Sequence, residues 1–331
     1  MTEETRKTPE PMMDLVVPIH GHLELNRLFF HYLEKNTHHP FRLIVVDNFS
    51  QDRSADFFEE QKAFGHNILV IRNPENQCYP VSINQGAMAG SSPVIGLLNN
   101  DIIVAPGWDR PLVQSLLEDS VPVVSPAGLE HFPDKDLEDI LYYRWRYINR
   151  RVWDGDQRKN LEKKISLMYG NFDDVSSEIQ KKYRKISFQG IMGHCHLISR
   201  KVFERLGGLD PRIQSADWDL YLLIEKLKRE GQFEKSPMIL GSSFVHHFIR
   251  ATDSSARRMP VVCSHSPHLK LEEKWSVQSI VELWPFKEQV PGSKRSFSEK
   301  TKKRLLKIKT WLYFWKKNLK DILNKNDISK I

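Results

Sequence analysis

Three oxygen-bearing side chains follow one short apolar run of the chain. Asn99, Asn100 and Asp101 come directly after residues 93–98 (PVIGLL), which predict a buried strand. Carboxylate and amide oxygens are the ligands that Mg²⁺ and Mn²⁺ prefer, and these ions usually bind substrate phosphates as well. The sequence therefore predicts either a divalent-cation site with Asp101 as a ligand, or a turn in which Asn and Asp serve only the backbone.

Two carboxylates, Asp217 and Asp219, lie where residues 217–230 predict a helix. Acidic residues in the first turn of a helix are stabilised by the helix dipole, which alone would explain both. The alternative is that Asp217 is a general base that takes a proton from an acceptor hydroxyl. Trp218, which lies between the two carboxylates, is then a candidate wall of the acceptor site.

Two adjacent histidines, His246 and His247, close a strand predicted over residues 238–246. Neighbouring side chains of a strand point to opposite faces, so at most one of the two can serve a given site. Either imidazole is a candidate metal ligand in its neutral form. The alternative is a purely structural role, which is the more frequent one for a single histidine.

Alternating strands and helices must position these residues. Apolar strands that alternate with amphipathic helices predict an α/β protein with a mostly parallel sheet and helices on both faces. Such sheets bind ligands outside the carboxyl ends of their strands, and here those ends carry polar residues. The polar residues at the strand ends are His20, Asp47, Asn48, Arg72, Asn73 and residues 99–101. The strands are predicted over residues 13–19, 42–47, 67–71, 93–98 and 121–125. The helices are predicted over residues 23–34, 52–64 and 81–89.

The second half of the sequence is more polar and more aromatic. An aromatic and basic stretch in it either packs on the sheet or offers an acceptor surface, since sugar faces stack on aromatic rings and Arg binds phosphates. The stretch consists of Tyr142, Tyr143, Arg144, Trp145, Arg146, Tyr147 and Trp153. Residues 130–185 predict two helices, residues 190–198 and 238–246 predict strands, and residues 200–206, 217–230 and 267–283 predict helices.

Positive charge is concentrated at the C-terminal end. The 331 residues carry a net charge of +7, but residues 294–331 hold thirteen Lys or Arg against three Asp or Glu, which leaves −3 for residues 1–293. The acidic body argues against a nucleic-acid partner. Residues 291–331 predict a basic amphipathic helix. This helix fits attachment to an anionic membrane surface, packing on the body, or self-association through residues 300–325.

Composition also limits the class of protein. The chain is 40% apolar and 27% charged, which is typical of globular proteins. Its cysteines, Cys78, Cys195 and Cys263, form no disulfide framework, which favours a reducing compartment. Residues 1–12 predict a flexible polar lead without the apolar core of a signal peptide, and no run approaches the roughly 18 apolar residues of a membrane span. The prediction is a cytoplasmic protein, either free or peripheral on the inner face of the plasma membrane.

The sequence resembles the family 2 glycosyltransferases with the GT-A fold in five segments, which occur in the family's order between residues 13 and 275. The resemblance implies a Rossmann-like nucleotide-sugar-binding half over residues 13–127. It also implies an acceptor-binding and catalytic half over residues 128–290, with a helical insertion at 130–185 and a C-terminal helical extension. The segments are VVDN (45–48), NPENQCYPVSINQGAMAGSSPVIGLLNND (73–101), GIMGHCHLISRKVFERLGGLDPRI (190–213), ADWDLYLLIEKLKREG (216–231) and HHFIRAT (246–252).

The resemblance also implies roles for individual residues. Asp217 matches the catalytic base, although Ala216 stands where the family usually has Glu. Asp101 matches the acid that holds Mn²⁺ or Mg²⁺ on the donor diphosphate, together with His246 or His247; the spacing favours His247. Donor binding is implied for Pro18, His20, Asp47, Asn76, Asn84, Asn99, Asn100 and Asp101, and acceptor binding for Gly190, Trp218 and Asp219.

The implied activity is inverting transfer of a hexosyl or deoxyhexosyl group from a UDP- or dTDP-sugar. The acceptor would be a hydroxyl of a glycan, a lipid-linked glycan or a protein, in bacterial cell-surface glycan assembly. The alternative is a module that binds nucleotide sugars without catalysis, for which Ala216 and the Asn-Asn-Asp sequence are the hints. A dinucleotide-dependent oxidoreductase is disfavoured, because residues 18–22 (PIHGH) lack a G-x-G-x-x-G turn.

Overall fold

The computed structural model describes residues 11–152, 157–249 and 269–285. Within these residues, nine strands form one sheet with helices packed against it. The strands are β1 (Met13–Ile19), β2 (Phe41–Asp47), β3 (Ile68–Arg72), β4 (Val94–Leu98), β5 (Ile102–Val104), β6 (Val123–Ala127), β7 (Ser187–Gln189), β8 (Cys195–Ser199) and β9 (Met238–His247). The helices are α1 (Leu23–Asn36), α2 (Ser54–Ala63), α3 (Tyr79–Met88), α4 (Asp109–Leu117), α5 (Lys135–Arg151), α6 (Arg158–Tyr169), α7 (Phe172–Tyr183), α8 (Arg200–Leu206), α9 (Ala216–Arg229), α10 (Leu271–Lys274) and α11 (Val277–Leu283).

The strand order is β3-β2-β1-β4-β8-β6-β9-β5, and β7 pairs with β9. The first four strands in this order are parallel, β8 runs antiparallel to both β4 and β6, and β9 runs parallel to β6. The predicted α/β class with a mostly parallel sheet is therefore confirmed. Because β8 is reversed, its amino end lies at the same edge of the sheet as the carboxyl ends of β4, β6 and β9.

Three local predictions were wrong. The strand predicted over residues 190–198 begins at Cys195, because residues 190–194 form a loop at the edge of the sheet. Residues 130–185 hold three helices, α5 to α7, instead of two. The region predicted helical over 267–283 is broken at Trp275, where α10 ends, and the Ser276 side chain caps α11 by accepting a hydrogen bond from the Ser279 N–H. The short strand β5 and helix α4 were not predicted.

The aromatic stretch of α5 divides between core and surface. Trp145 is 1% exposed, and its ring lies 4.4 Å from the ring of His246 in an edge-to-face contact. Tyr142, Tyr143 and Tyr147 are half-buried, and Tyr147 packs against the same core cluster as Trp145. Packing within the protein therefore accounts for Trp145 and Tyr147.

Some predicted features lie outside the described residues. These are residues 1–10 of the N-terminal lead, Trp153, Cys263 and the basic helix of residues 291–331. In the parts of the chain that the structure describes, no helix combines the length and the apolarity needed to cross a membrane.

A buried ion-pair network joins the first strand to the second half of the chain. Asp14 of β1 is fully buried and accepts hydrogen bonds from Arg42 (Nε, 2.9 Å), Arg200 (Nη2, 2.9 Å) and the Ser92 N–H (2.7 Å). Burial alone would raise the pKa of Asp14, but the bonds from Arg42 and Ser92 outweigh burial and lower it. Arg200 begins α8, so this carboxylate fixes α8 against the central strands.

We expect Asp14→Asn to lower the free energy of unfolding by about 3 kcal/mol, because the change leaves two guanidinium groups facing a neutral amide. A shift of the urea midpoint at unchanged slope is the measurement. Asp56→Asn is the control, since the Asp56–Arg72 pair is half exposed and contributes at most about 1 kcal/mol. Equal losses in the two variants would contradict the assignment of Asp14 as a buried anchor.

Candidate active site

A cleft of about 600 Å³ opens at the edge of the sheet where β4, β6 and β9 end and β8 begins. Asn99 follows β4, Glu130 follows β6, His194 precedes β8 and His247 ends β9, so the sheet topology alone brings these residues together. A larger groove of about 930 Å³ lies around the first residue of β9 and contains none of the predicted site residues. The cleft is lined by Tyr79, Asn99, Glu130, His131, Ile191, Met192, Gly193, His194, Gln214, Asp217, Trp218, His247 and Trp284.

His247 lies between two carboxylates. Its Nδ1 is 2.8 Å from Glu130 Oε2, and its Nε2 is 3.4 Å from Asp101 Oδ2. Burial would lower the pKa of His247, but the charges and hydrogen bonds of Asp101 and Glu130 outweigh burial and raise the pKa to about 10. Burial alone would raise the pKa of Glu130, but the hydrogen bond and the charge of His247 outweigh burial and lower the pKa of Glu130.

Two polar atoms of residues that contact His247 have no hydrogen-bond partner among the described residues. One is Asp101 Oδ1 and the other is His194 Nε2; both atoms are buried. The His194 ring stacks on that of His247, with centroids 4.2 Å apart and planes 19° apart. One ligand atom each from Glu130, His194 and His247 lie within 4.8 Å of one another. Carboxylate oxygens and imidazole nitrogens so arranged fit a divalent cation of the Mn²⁺ or Zn²⁺ type.

Asp217 projects into the same cleft from the first turn of α9. Burial raises the pKa of Asp217, and the negative charge of Glu130 adds to this, while backbone N–H groups of the helix start oppose it. A carboxylate with a raised pKa is suited to accept a proton near neutral pH. Tyr79 faces it: burial, with the charge of Asp217, raises the pKa of this phenol, so the hydroxyl keeps its proton. The Tyr79 hydroxyl is buried and has no hydrogen-bond partner in the described structure.

Gly193 leaves the space that the Asp217 carboxylate occupies. A methyl group on Gly193 would lie 2.4 Å from Asp217 Oδ2 and 2.9 Å from its Cγ. Since a shift of about 1 Å in a catalytic group can cost about 100-fold in rate, we expect Gly193→Ala to lower turnover by about that factor and to leave nucleotide affinity unchanged.

Gly96→Ala is the matched control for this prediction. Its new methyl group would lie 2.5 Å and 2.9 Å from the side chains of Leu15 and Leu197 in the core, away from Asp217. We expect this variant to lose stability while its folded fraction keeps wild-type turnover. Full turnover of Gly193→Ala in steady-state assays would contradict the role assigned to the glycine.

An aromatic wall closes the side of the cleft next to Asp217. Trp218 is half-buried and stacks on Trp284, with centroids 4.0 Å apart and planes 14° apart. Trp284 belongs to residues 269–285, and hydrogen bonds to Asp219 hold this segment against α9. The Asp219 carboxylate accepts hydrogen bonds from Lys274 Nζ (2.9 Å) and Trp275 Nε1 (2.7 Å). The wall therefore depends on a segment that lies after the last strand.

More than half of the chain matches a known protein family. A family model described as "Glycosyl transferase family 2" matches residues 14–207, which is more than half of the chain. The chain belongs to this family. The structure of GalNAc-T7 with UDP, GalNAc and Mn²⁺ is similar to this chain, with a TM-score of 0.52 and 18% identity. The alignment spans 94% of this chain and 58% of the GalNAc-T7 chain. The predicted GT-A fold is confirmed.

Two relatives by sequence are much longer than this family 2 chain. The O-antigen biosynthesis protein RfbC of Myxococcus xanthus is 24% identical over 257 residues, which are 76% of this chain and 18% of that protein. The probable polypeptide N-acetylgalactosaminyltransferase 8 of Homo sapiens is 29% identical over 91 residues, which are 26% of this chain and 14% of that protein. The chain thus spans less than a fifth of the length of either relative.

The donor-binding residues predicted at the first two strand ends of this family 2 protein lie close together. His20 Nδ1 is 2.7 Å from the carbonyl oxygen of Asn48, and Asp47 Oδ1 accepts a hydrogen bond from the Ser50 N–H at 3.1 Å. Pro18 is half-buried within β1. These contacts join the loops after β1 and β2 into one surface beside the end of β4.

The other predicted donor residues differ in their surroundings. Asn99 lines the cleft, and Asn76 is half-buried in the loop between β3 and α3. Asn100 is buried and its Nδ2 donates to Asn26 Oδ1 at 2.7 Å. Asn84 binds the backbone of Leu209 through both ends of its amide, at 2.7 Å and 2.8 Å. Asn100 and Asn84 are thus engaged in contacts within the protein.

Three residues predicted for the acceptor or metal site point elsewhere. His246 faces the opposite side of β9, where its Nδ1 is 2.8 Å from the Tyr169 hydroxyl. Burial lowers the pKa of His246 well below its usual value, so it is neutral. Asp219 fastens the 269–285 segment, as described above. Gly190 is buried next to the start of β9, where its N–H donates to the carbonyl of Pro237 at 3.0 Å.

Several cleft residues escaped sequence reasoning: Tyr79, Glu130, Gly193, His194 and Trp284. Glu130 carried only a weak signal, because it follows the observed end of β6 by three residues but the strand was predicted to end at Ser125. His194 carried a signal only as a histidine inside the strand predicted over residues 190–198, which in the structure begins one residue later, at Cys195. Trp284 carried none, because only the docking of residues 269–285 brings it to the cleft.

Proposed function

We propose that this protein is an inverting glycosyltransferase that moves a sugar from a nucleoside-diphosphate sugar to an acceptor hydroxyl. The observation that carries the proposal is the arrangement of one cleft. A carboxylate with a raised pKa, Asp217, shares this cleft with His247, whose Nε2 is 3.4 Å from Oδ2 of the buried Asp101 carboxylate. A base on one side and an anion-stabilising centre on the other are the two requirements of in-line displacement at an anomeric carbon.

Asp217 is the proposed base. Its carboxylate would take the proton of the acceptor hydroxyl as the acceptor oxygen attacks the anomeric carbon from the face opposite the leaving diphosphate. Inversion follows from this single displacement, and no covalent sugar–enzyme intermediate is required. The Tyr79 hydroxyl, which stays protonated, is a proposed hydrogen-bond donor to a substrate oxygen.

Asp101 and His247 are the proposed residues for Mn²⁺ or Mg²⁺. The buried, unpartnered Oδ1 of Asp101 and the 3.4 Å separation of its Oδ2 from His247 Nε2 support two ligands on one ion. When bound, the cation would neutralise charge that grows on the departing nucleoside diphosphate. Asn99 lines the cleft, and we propose that it contacts the donor together with His20 and Asp47, which lie at the carboxyl ends of β1 and β2.

The Trp218–Trp284 wall is the proposed acceptor side. Trp218 and Trp284 stack on each other and both line the cleft, where an acceptor sugar ring would stack on the wall. RfbC is named for O-antigen biosynthesis, and together with the surface-glycan prediction this supports a role in bacterial glycan assembly in the cytoplasm. We propose UDP- or dTDP-sugars as donors, with a glycan or lipid-linked glycan as the acceptor.

Calorimetric titration of the chain with UDP, dTDP, GDP and CMP, with and without Mn²⁺, tests the proposal. We expect one nucleoside diphosphate to bind, and Mn²⁺ to increase its affinity. Slow hydrolysis of the matching nucleotide sugar, with inversion seen by NMR of the released sugar, would establish transfer chemistry. Binding of a nucleotide without any turnover would favour a catalytically degenerate nucleotide-sugar-binding module, and retention of configuration would exclude the inverting mechanism.

A further inference from the structure

The two ring nitrogens of His247 contact different carboxylates. Nδ1 is 2.8 Å from Glu130 Oε2, which is hydrogen-bond distance, while Nε2 is 3.4 Å from Asp101 Oδ2. Glu130 lies in the loop after β6, 117 residues before its partner, and its side chain is about one-third exposed to the cleft. Glu130 belongs to none of the segments that resemble the family, so the resemblance implies no role for it.

The contact with Glu130 determines which nitrogen of His247 can bind a cation. A histidine binds a cation only as the neutral imidazole, which carries one N–H and one lone pair. A bound cation would therefore displace the second proton that Asp101 and Glu130 favour on the free ring. If the N–H is donated from Nδ1 to Glu130, the lone pair lies on Nε2, on the side of Asp101. Histidine ligands in metalloproteins commonly donate their other N–H to a carboxylate, which fixes the tautomer and the ring orientation.

His194 restrains the same ring from one face. Its ring stacks on His247 with centroids 4.2 Å apart, and its side chain is 5% exposed. Rotation of the His247 ring about its side-chain bond would break both this stack and the bond to Glu130. The ring is therefore held at one end by a hydrogen bond and on one face by a packed neighbour.

We infer that Glu130 is a positioning residue, which accepts the Nδ1–H of His247 and so directs Nε2 toward a divalent cation on Asp101. His194 assists by stacking. This inference rests on the cation site of the proposed function. A different arrangement, in which Glu130 and His194 are themselves ligands, is compatible with the 4.8 Å cluster of their ligand atoms and is the outcome that the experiment must separate.

The experiment is a titration of the full chain with Mn²⁺, in which free Mn²⁺ is measured by its electron paramagnetic resonance signal. We expect Glu130→Ala to weaken Mn²⁺ binding by about 10- to 100-fold, the usual effect of removing a residue that orients a metal ligand. Glu130→Gln should lose less, because its amide oxygen can accept the same hydrogen bond. Glu138→Gln is the control, since this nearby carboxylate accepts from the Phe132 N–H and binds Lys135, away from His247.

His194→Phe separates positioning from direct ligation. Phenylalanine keeps the stack and removes both nitrogens, so we expect Mn²⁺ affinity to stay close to that of the wild type. If His194→Phe weakens Mn²⁺ binding as much as Glu130→Ala does, the inference is overturned, because both residues would then be ligands. Wild-type Mn²⁺ binding in Glu130→Ala would overturn it as well and leave the proposed function intact. If the wild-type chain binds nucleotide but no Mn²⁺, the cation site and this inference both fail.

Discussion

Asp217→Asn should lower sugar transfer by about 10²- to 10⁴-fold and leave nucleotide affinity unchanged. The amide keeps the size of the side chain but cannot accept the proton of the acceptor hydroxyl, and general-base catalysis contributes a factor of this size. Steady-state rates with a matched donor and acceptor, together with calorimetric nucleotide binding, are the measurements. Unchanged turnover would remove Asp217 from the role of base.

Asp219→Asn is the comparison for this variant. Asp219 lies two positions further along α9, but its carboxylate binds Lys274 and Trp275 instead of facing the cleft. We expect Asp219→Asn to lower the melting temperature, since it weakens the anchor of residues 269–285, and to retain far more turnover than Asp217→Asn. Similar losses of turnover would indicate that both variants act through damage to α9.

The pH profile gives a second measure of the same residue. Burial raises the pKa of Asp217 above its ordinary value of 3.8, and Glu130 adds to the rise. A base must be deprotonated to act, so kcat/KM should fall as pH decreases through this raised pKa, and the acidic limb should have its midpoint above 3.8.

Asp101→Ala should weaken Mn²⁺-dependent nucleotide binding by at least about 100-fold, which exceeds the effect expected of a residue that only orients a ligand. Asp101 follows the end of β4 by three residues. Its Oδ1 is buried and has no hydrogen-bond partner among the described residues. Nucleotide titrations with and without Mn²⁺ are the measurement. Binding in the absence of Mn²⁺ serves as the internal control and should be unchanged.

Asp101→Ala also discriminates between the two interpretations of the Asn-Asn-Asp sequence. If these residues only form a turn, the variant should bind nucleotide as the wild type does, with or without Mn²⁺, and should differ only in stability. A loss that is confined to titrations with Mn²⁺ would assign Asp101 to the cation. A loss of equal size in both titrations would contradict this assignment and point to damage of the donor pocket.

Strand-end reasoning correctly places Asn99 and His247 at the cleft, because it depends on local sequence. A run such as residues 93–98 must be a buried strand, and whatever follows it must lie at the edge of the sheet. Asp101 and His247 were found in this way, although their 3.4 Å contact joins residues far apart in the chain. The reversed direction of β8 was not predictable in the same way, since an apolar run does not reveal whether it pairs parallel or antiparallel.

The choice between His246 and His247 depends on tertiary packing. Alternation along β9 predicts that they face opposite sides, but helices α5 and α6 decide which side becomes apolar. Helices α5 and α6 place Trp145 and Tyr169 against His246, while Glu130 and Asp101 surround His247. Glu130 was missed for a related reason: the strand before it was predicted to end at Ser125, whereas β6 continues to Ala127 through an irregularity in its pairing with β9.

The position of β8 also has a consequence for how the chain folds. The strand belongs to the second half of the sequence, yet it lies between β4 and β6 of the first half and bonds to both. A growing chain that has emerged only to residue 127 would therefore hold one unpaired edge on β4 and two on β6, and these edges must wait for β8 and β9. The edge of the sheet that carries the cleft should consequently form late, in one cooperative event.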